Sequence, residues 1–268
     1  NPVVEIVPGA ATDDATTEWL MRMYETIGKI PVRVSSRYGY ACDPIFEGIF
    51  AVACLAVEGG LGTIREVDFV AREALGMTVG PFTAMNLTGG NPITAHGLAE
   101  MTTRIQPWYR PPKLLVDLLA AEGAAGRWDV CGRGETAEVE DPDRKQAIID
   151  TLRGGYLGLA FEIVDAGLTS LEDLELALSV ALDLTGPCAM ANQLGVTRAL
   201  KLVQAYATVH AGFSVPQVLA DQAATRTPFD PSNLVEEDLL LDNGGVVRLI
   251  RVRRPKVLNA LNAATYQQ

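Results

Sequence analysis

Histidine is nearly missing from this chain: only His96 and His210 occur in 268 residues. Four cysteines are present, Cys42, Cys54, Cys131 and Cys188, and no two stand at Cys-x-x-Cys spacing. A zinc site draws its ligands from close Cys and His pairs, so the composition argues against one. Cys54 and Cys188 lie in apolar, helix-like surroundings and read as buried thiols, for which a reducing cytoplasm is the simpler compartment. Positive charge is also short, with 22 Lys and Arg against 33 Asp and Glu and a net charge of −11. A nucleic-acid surface needs a basic face, so no nucleic-acid partner is expected. No apolar run approaches the ~20 residues of a membrane-crossing helix, and no signal-peptide pattern opens the chain, so no membrane span is expected. No Gly-x-Gly-x-x-Gly turn follows a strand-like segment, which leaves no dinucleotide site to argue from the residues. Gly59-Gly60-Leu61-Gly62 has the wrong setting, because it ends a helix. Aromatics are 6%, hydrophobic residues 48%, and Ala and Leu are frequent, which points to a folded, mainly helical chain. Its length fits roughly two domains. It starts at Asn1 and runs directly into an apolar strand-like segment, so we expect a piece of something longer.

What is present is best punctuated in Gly60–Asn86. Gly59 and Gly60 can stop the preceding helix, since glycine enters the left-handed region without a Cβ clash. Thr63 and Glu66 stand at capping-box spacing. Val67, Val70, Ala71, Ala74 and Leu75 make one apolar helical face, Gly76 ends it, and Gly80-Pro81 opens the next segment. The same phrasing returns downstream. Gly60-Leu61 matches Gly167-Leu168, Thr63–Glu66 matches Ser170–Asp173, Gly80-Pro81 matches Gly186-Pro187, Asn86 matches Asn192, and Pro112–Asp117 matches Pro216–Asp221. The offset drifts only from 107 to 106 to 104, so order is kept with few gaps and the pattern reads as an internal duplication.

Before the first copy, Val3–Val7 and Ile30–Val34 read as strands. Between them, a helix capped at Thr12-Asp13-Asp14 shows Trp19, Leu20, Met23 and Ile27 on one face. A long helix over about Asp43–Val57 follows. Glu122–Asp143 is poor in apolar residues and reads as a surface loop. Beyond a linker at Thr225–Asp238, Val246–Val252 reads as a strand without a partner of its own, which is marginal at best. The expected division is a first helical repeat over residues 1–125, a linker loop over 126–143, a second repeat over 144–228 and a further segment over 229–268. The fold class is all-α with a short terminal β segment.

Several of these phrases together resemble the C-terminal part of the 3-hydroxyacyl-CoA dehydrogenase family of fatty-acid β-oxidation. They are Val4–Gly9, Ile27–Val32, Arg37–Tyr40, Glu58–Gly60, Val67-Asp68, Leu75–Met77, Gly80–Phe82 and, more weakly, Gly126–Gly134. The resemblance covers about residues 3–225, with two copies of the helical domain as in multifunctional members. It implies a duplicated helical domain of the 6-phosphogluconate dehydrogenase C-terminal type. The tail, Gly245–Ile250 and Arg254–Asn262, resembles the start of an enoyl-CoA hydratase (crotonase) domain, so the parent is similar to a dehydrogenase–hydratase fusion.

The family oxidises a 3-hydroxyacyl-CoA to the 3-ketoacyl-CoA and passes hydride to NAD, with a His as base and a Glu orienting it. The Glu phrase falls on Glu5. The His phrase lies upstream of it and nothing here stands for it. A further family residue, an Asn at the start of the long helix, is Asp43 here. An ionised carboxylate cannot donate the hydrogen bond an amide can, so Asp43 puts the parent's dehydrogenase activity, or its usual substrate, in question. The plain alternative for Asp43 is a helix cap before Pro44, and for Glu5 a surface strand carboxylate. For His96 and His210 a structural or surface role is expected, and for Asn86 and Asn192 a role in the fold. Arg253, Arg254 and Lys256 could face CoA phosphates in a complete hydratase domain, or form a solvated edge. The resemblance thus implies an acyl-CoA substrate and NAD for the parent, a homodimer as the family's assembly, and an inactive chain when isolated. Competing readings are a helical oligomerisation or tethering scaffold, and a degenerate dehydrogenase acting on another CoA thioester.

Overall fold

The computed structural model describes residues 2–231, 234–240 and 246–252. It opens with two parallel strands, β1 (Val3–Ile6) and β2 (Ile30–Arg33), joined through helix α1 (Asp14–Thr26). Asp13 caps α1 by accepting from the Thr16 N–H at 2.6 Å. The apolar face expected on α1 is not core. Trp19 and Ile27 are each 63% exposed, and Thr17 is the one fully buried residue of the helix.

The body is helical, as expected. The first half holds α2 (Cys42–Glu58), α3 (Ile64–Leu75), α4 (Pro81–Thr88), α5 (Asn91–Arg104) and α6 (Lys113–Glu122). The second holds α7 (Pro142–Asp165), α8 (Leu171–Ala181), α9 (Pro187–Leu194), α10 (Val196–Val209) and α11 (Gln217–Thr225). The punctuation read from the sequence is in place. Thr63 and Glu66 form a full capping box, Gly76 closes α3 at φ 76°, and Ser170 caps α8 by accepting from Asp173 N–H at 3.1 Å. Gly60 and Gly167, at φ 74° and 66°, turn the chain out of α2 and α7.

The same stabilising devices recur in both halves. Asp68, buried in α3, accepts from the Thr83 N–H at 2.9 Å at the start of α4. Glu175 in α8 accepts from Cys188 and Ala189 N–H at 2.8 and 3.1 Å at the start of α9. Asn86 clamps both backbone groups of Trp128, and Asn192 both backbone groups of Phe229, all four bonds at 2.8 Å. Asn86 and Asn192 therefore do serve the fold, as loop clamps. Glu58 receives the Leu114 N–H at the start of α6, and Asp165 receives the Gln217 and Val218 N–H groups at the start of α11.

The halves meet where α2 crosses α7. A Cβ on Gly48 would lie 2.5 Å from Leu159, and one on Gly155 would lie 2.5 Å from Val52. Each helix thus offers a glycine gap to a branched side chain of the other, which lets two long apolar helices approach closely.

Two expectations need correction. The 126–143 loop is not confined to the surface. Trp128 is 5% exposed, sits between Phe50 and Phe82, and donates Nε1–H to Asn91 Oδ1 at 2.8 Å. One buried indole in a charged run leaves no periodic trace. The terminal strand also has a partner: β3 (Leu234–Leu240) pairs antiparallel with β4 (Val246–Val252), Leu234 opposite Val252. The acidic Glu236–Asp238 triplet masks β3 in a reading by composition. The expected basic edge at Arg253, Arg254 and Lys256 lies outside the described residues.

Candidate functional site

The loop after β2 is held from the second half. Ser35 N–H donates to Leu168 O at 2.7 Å, and Arg37 makes a bidentate pair with Glu162 of α7 at 2.6 and 3.0 Å. Gly39 and Tyr40 then both adopt left-handed backbone, at φ 74° and 54°. For Tyr40 this is an uncommon conformation, kept by its surroundings. The turn aims the next two N–H groups back at β1. Glu5 Oε1 accepts from Ala41 N–H at 2.9 Å and Cys42 N–H at 3.1 Å.

This settles two local readings differently from the sequence. Glu5 is not a surface carboxylate; it points inward and caps α2 across 36 residues of chain. Asp43 is not the cap, since no side chain from the helix itself caps α2 and Asp43 lies within its first turn. Alternation along β1 could not reveal this, because the acceptor is set by where β1 ends relative to α2. Burial raises the Glu5 carboxyl above its ordinary range, the two backbone donors oppose the shift, and the Asp43 charge adds to it. The Cys42 thiol, next to Glu5 and buried, is held firmly protonated.

Beside this cap lies a cleft of about 490 Å³, walled by Ser36–Tyr40, by Asp43 and Glu47 of α2, and by Ile93, His96, Gly97, Met101 and Arg104 of α5. Asp43 is at its rim, exposed, with its carboxyl raised by desolvation. Glu47 is one helical turn deeper, on the same face. Its Oε2 is buried without a hydrogen-bond partner among the described residues, and its carboxyl is pushed up to about 8 by burial first and the Asp43 charge second. Gly97 makes room for it: a Cβ there would lie 2.2 Å from Glu47 Oε2. Arg37 is committed to Glu162, and Arg104 donates to Glu100 at 2.8 Å while lying over the Tyr38 ring. The cleft therefore presents carboxyl groups, aromatic rings and an imidazole, with its cations already engaged.

The structure brings Glu5 and Asp43 together at one helix end, and places His96 in the same cleft. Glu47 and Arg37 were not singled out from the sequence. The i,i+4 spacing of Asp43 and Glu47 on one helix face was the available signal. Asp43, Glu47 and His96 share a cleft only because α5 folds back on α2, which local spacing does not encode. His210 lies elsewhere, its ring tilted against Tyr206 with centroids 4.1 Å apart and its pKa lowered by burial.

The start of α1 does not fit a pyrophosphate. The helix after β1 has its N-terminus filled by Asp13 and followed by Asp14, which pairs with Arg33 at 2.8 Å. A pyrophosphate there would meet two carboxylates. No helix among the described residues is long and apolar enough to cross a membrane.

Comparison with known proteins places these features. Residues 39–129 match the family model of the 3-hydroxyacyl-CoA dehydrogenase C-terminal domain. L-carnitine dehydrogenase of Pseudomonas aeruginosa is 30% identical over 145 residues, 52% of this chain and 45% of that protein. The fatty acid oxidation complex subunit alpha of Acinetobacter baumannii is 22% identical over 260 residues, 85% of this chain and 36% of that protein. The chain thus spans less than half the length of these relatives. The crystal structure of 3-hydroxybutyryl-CoA dehydrogenase from Escherichia coli K12 superposes with a TM-score of 0.68 at 16% identity, covering 84% of this chain and 68% of that one, which shows a shared fold.

Proposed function

We propose that this chain is the helical substrate-side region of an NAD-dependent 3-hydroxyacyl-CoA dehydrogenase of fatty-acid β-oxidation. The observation that carries the reading is the Glu5 carboxylate, delivered from β1 to the start of α2 beside Asp43, at the edge of a cleft built largely from the matched domain. In this reading Glu5 orients the base of the complete enzyme, and both the base and the NAD-binding part come from residues outside this sequence. The chain's own residues shape the cleft, hold Glu5 and set the charge met by the substrate. The test uses two proteins. The isolated chain with NAD and 3-hydroxybutyryl-CoA gives no NADH; a protein that also carries the nucleotide-binding part does, and Glu5→Gln lowers its kcat at least about tenfold. NADH from the isolated chain, or an unchanged kcat in Glu5→Gln, refutes the assignment.

We further infer that α2–α6 and α7–α11 are two copies of one unit. Matched helix order and the paired Asp68/Glu175, Asn86/Asn192 and Glu58/Asp165 devices support this. A second copy inside the chain can take the place of a dimer partner, so a monomer in sedimentation supports the pairing and a homodimer counts against it. The tail is read as the start of a hydratase domain on the strength of its Arg254–Asn262 phrase.

A second reading is favoured by the acidic cleft: a dehydrogenase for another 3-hydroxy substrate, one bearing a positive charge. Asp43 and Glu47 lack cation partners among the described residues, and Tyr38 and Tyr40 lie beside them. Carnitine, named in one relative, carries a quaternary ammonium, which carboxylates and aromatic rings can hold. Parallel assays with L-carnitine and with 3-hydroxybutyryl-CoA, each with Asp43→Asn, separate the two readings. A gain for the CoA substrate in the variant supports the second.

A further inference from the structure

Asp43 and Glu47 stand one turn apart on the same face of α2, and both line the cleft. The charged groups around them are few. The loop before α2 brings Arg37, engaged by Glu162; β1 brings Glu5; α5 brings His96, Glu100 and Arg104, the last two bonded to each other. No cation is bonded to either Asp43 or Glu47 among the described residues. Burial first, and the neighbouring negative charge second, favour a proton on one of these carboxyl groups.

Position decides which. Asp43 is the second residue of α2, near the positive end of the helix and open to water, where negative charge is favoured. Glu47 lies beyond that first turn, deeper, with Oε2 buried against Gly97 and without a partner. An ionised Glu47 would leave a buried oxygen carrying charge with no donor facing it, which is the costlier arrangement. Its raised pKa agrees with the geometry.

We propose that Glu47 acts in the cleft as a neutral carboxylic acid, keeping its own proton beside the Asp43 carboxylate and donating it as a hydrogen bond to an oxygen of the bound 3-hydroxyacyl thioester. The proposal rests on the dehydrogenase reading for its ligand, but not for the proton itself. It makes Glu47 a specificity-determining residue. A helix that presents a carboxylate at Asp43 still offers a donor from the same face, because the second acid keeps the proton that the first has lost.

The experiment has two parts that fail separately. In the whole chain with ¹³C-labelled glutamate, a carboxyl resonance is expected to titrate near pH 8, to be absent in Glu47→Gln, and to titrate lower in Asp43→Asn. Titration of every glutamate in the ordinary range overturns the proton-holding role even if ligand binds. Calorimetry with 3-hydroxybutyryl-CoA then tests the donor. Affinity is expected to fall as pH rises through about 8, to lose that dependence in Glu47→Gln, whose amide still donates, and to drop about five- to tenfold at pH 7 in Glu47→Ala. A pH profile unaltered in Glu47→Gln overturns the donor role. So does binding of L-carnitine with release of a proton, since a cation would draw Glu47 into its charged form. Absence of thioester binding at every pH, with the high titration intact, refutes the dehydrogenase reading and the donor role together but leaves the proton on Glu47.

Discussion

Removing the Glu162 side chain should loosen the cleft from the far half of the molecule. Glu162 receives two bonds from Arg37, at 2.6 and 3.0 Å, and the two side chains are only 19% and 16% exposed. Charge-assisted bonds of this kind are worth ~1.5–3 kcal/mol each, and orphaning one partner of a fully buried pair costs ~3–5 kcal/mol. This pair is not fully dry, so ~2–3 kcal/mol is the expected loss for Glu162→Ala. Arg37 Nε already lacks a partner in a buried position, which leaves the guanidinium little to fall back on. The cleaner quantity is the coupling energy from a double-mutant cycle with Arg37→Ala, expected at ~1.5–2 kcal/mol. Arg65–Asp129, at 46% and 74% exposed, is the internal control and should couple by less than ~0.5 kcal/mol. Urea unfolding of the four variants supplies the energies, and a loss of this size should lower Tm by about 4–8 °C. Exchange of the Ala41 and Cys42 amides should quicken in Glu162→Ala, because the loop that presents them to Glu5 is tied down by Arg37. A coupling no larger than that of Arg65–Asp129 refutes the argument that the second half positions the cleft.

Three further outcomes follow from the same geometry. Asn86→Ala and Asn192→Ala each remove two 2.8 Å backbone clamps and should cost ~2 kcal/mol apiece; a difference above ~1.5 kcal/mol in urea unfolding would deny their equivalence. Gly80→Ala puts a Cβ 2.2 Å from the Asp68 carbonyl oxygen and should lose at least ~2 kcal/mol, whereas Gly90→Ala, whose Cβ meets the Thr88 hydroxyl at 3.0 Å and Thr94 and Met85 at 3.8 and 3.9 Å, should stay within about 1 kcal/mol by thermal melting. Glu47→Gln tests pH dependence. The folded-state carboxyl titrates at about 8, above the ordinary 4.5, so between these values the folded protein binds the extra proton and stability falls as pH rises. After screening from the open side of the cleft, the variant should gain ~1–2 kcal/mol over the parent at pH 9 and nothing at pH 4; equal gains at both refute the assignment.

Most of the helical plan was readable because it is written in local chemistry. Thr63 and Glu66, Gly76, Pro81 and Ser170 each act within four residues of themselves, so their roles survive without knowledge of the tertiary structure. What could not be read depends on remote partners. Glu5 finds its donors at Ala41 and Cys42, Arg37 finds Glu162, and Trp128 finds Asn91 only once the chain has folded back on itself. The face of α1 makes a different point: periodicity reports which residues share a face, not whether that face is covered, and Trp19 and Ile27 remain exposed.

The proposed duplication also bears on the cleft. At the 107-residue offset of Gly60 and Gly167, Glu47 of α2 falls opposite Gly154 of α7. In the first half the small residue at this crossing is Gly97 on α5, and the space it leaves is filled by the Glu47 carboxyl. In the second half the small residue is Gly154 on the long helix, and α10 closes on it so tightly that a Cβ would lie 2.6 Å from Leu202 O. A glycine on α5 thus leaves room for a carboxyl against α2, whereas the glycine on α7 gives a sealed backbone contact with α10. The first half carries the Glu47 carboxyl in an open cleft, while the second packs against α2 and holds the Arg37 loop. Exchanging the two arrangements should expose the division of labour. Gly154→Glu would push a carboxylate into Leu202 O with no water to receive it, and it should unfold the second half and release the loop. Glu47→Gly should leave the fold standing and empty the cleft of its inner acid.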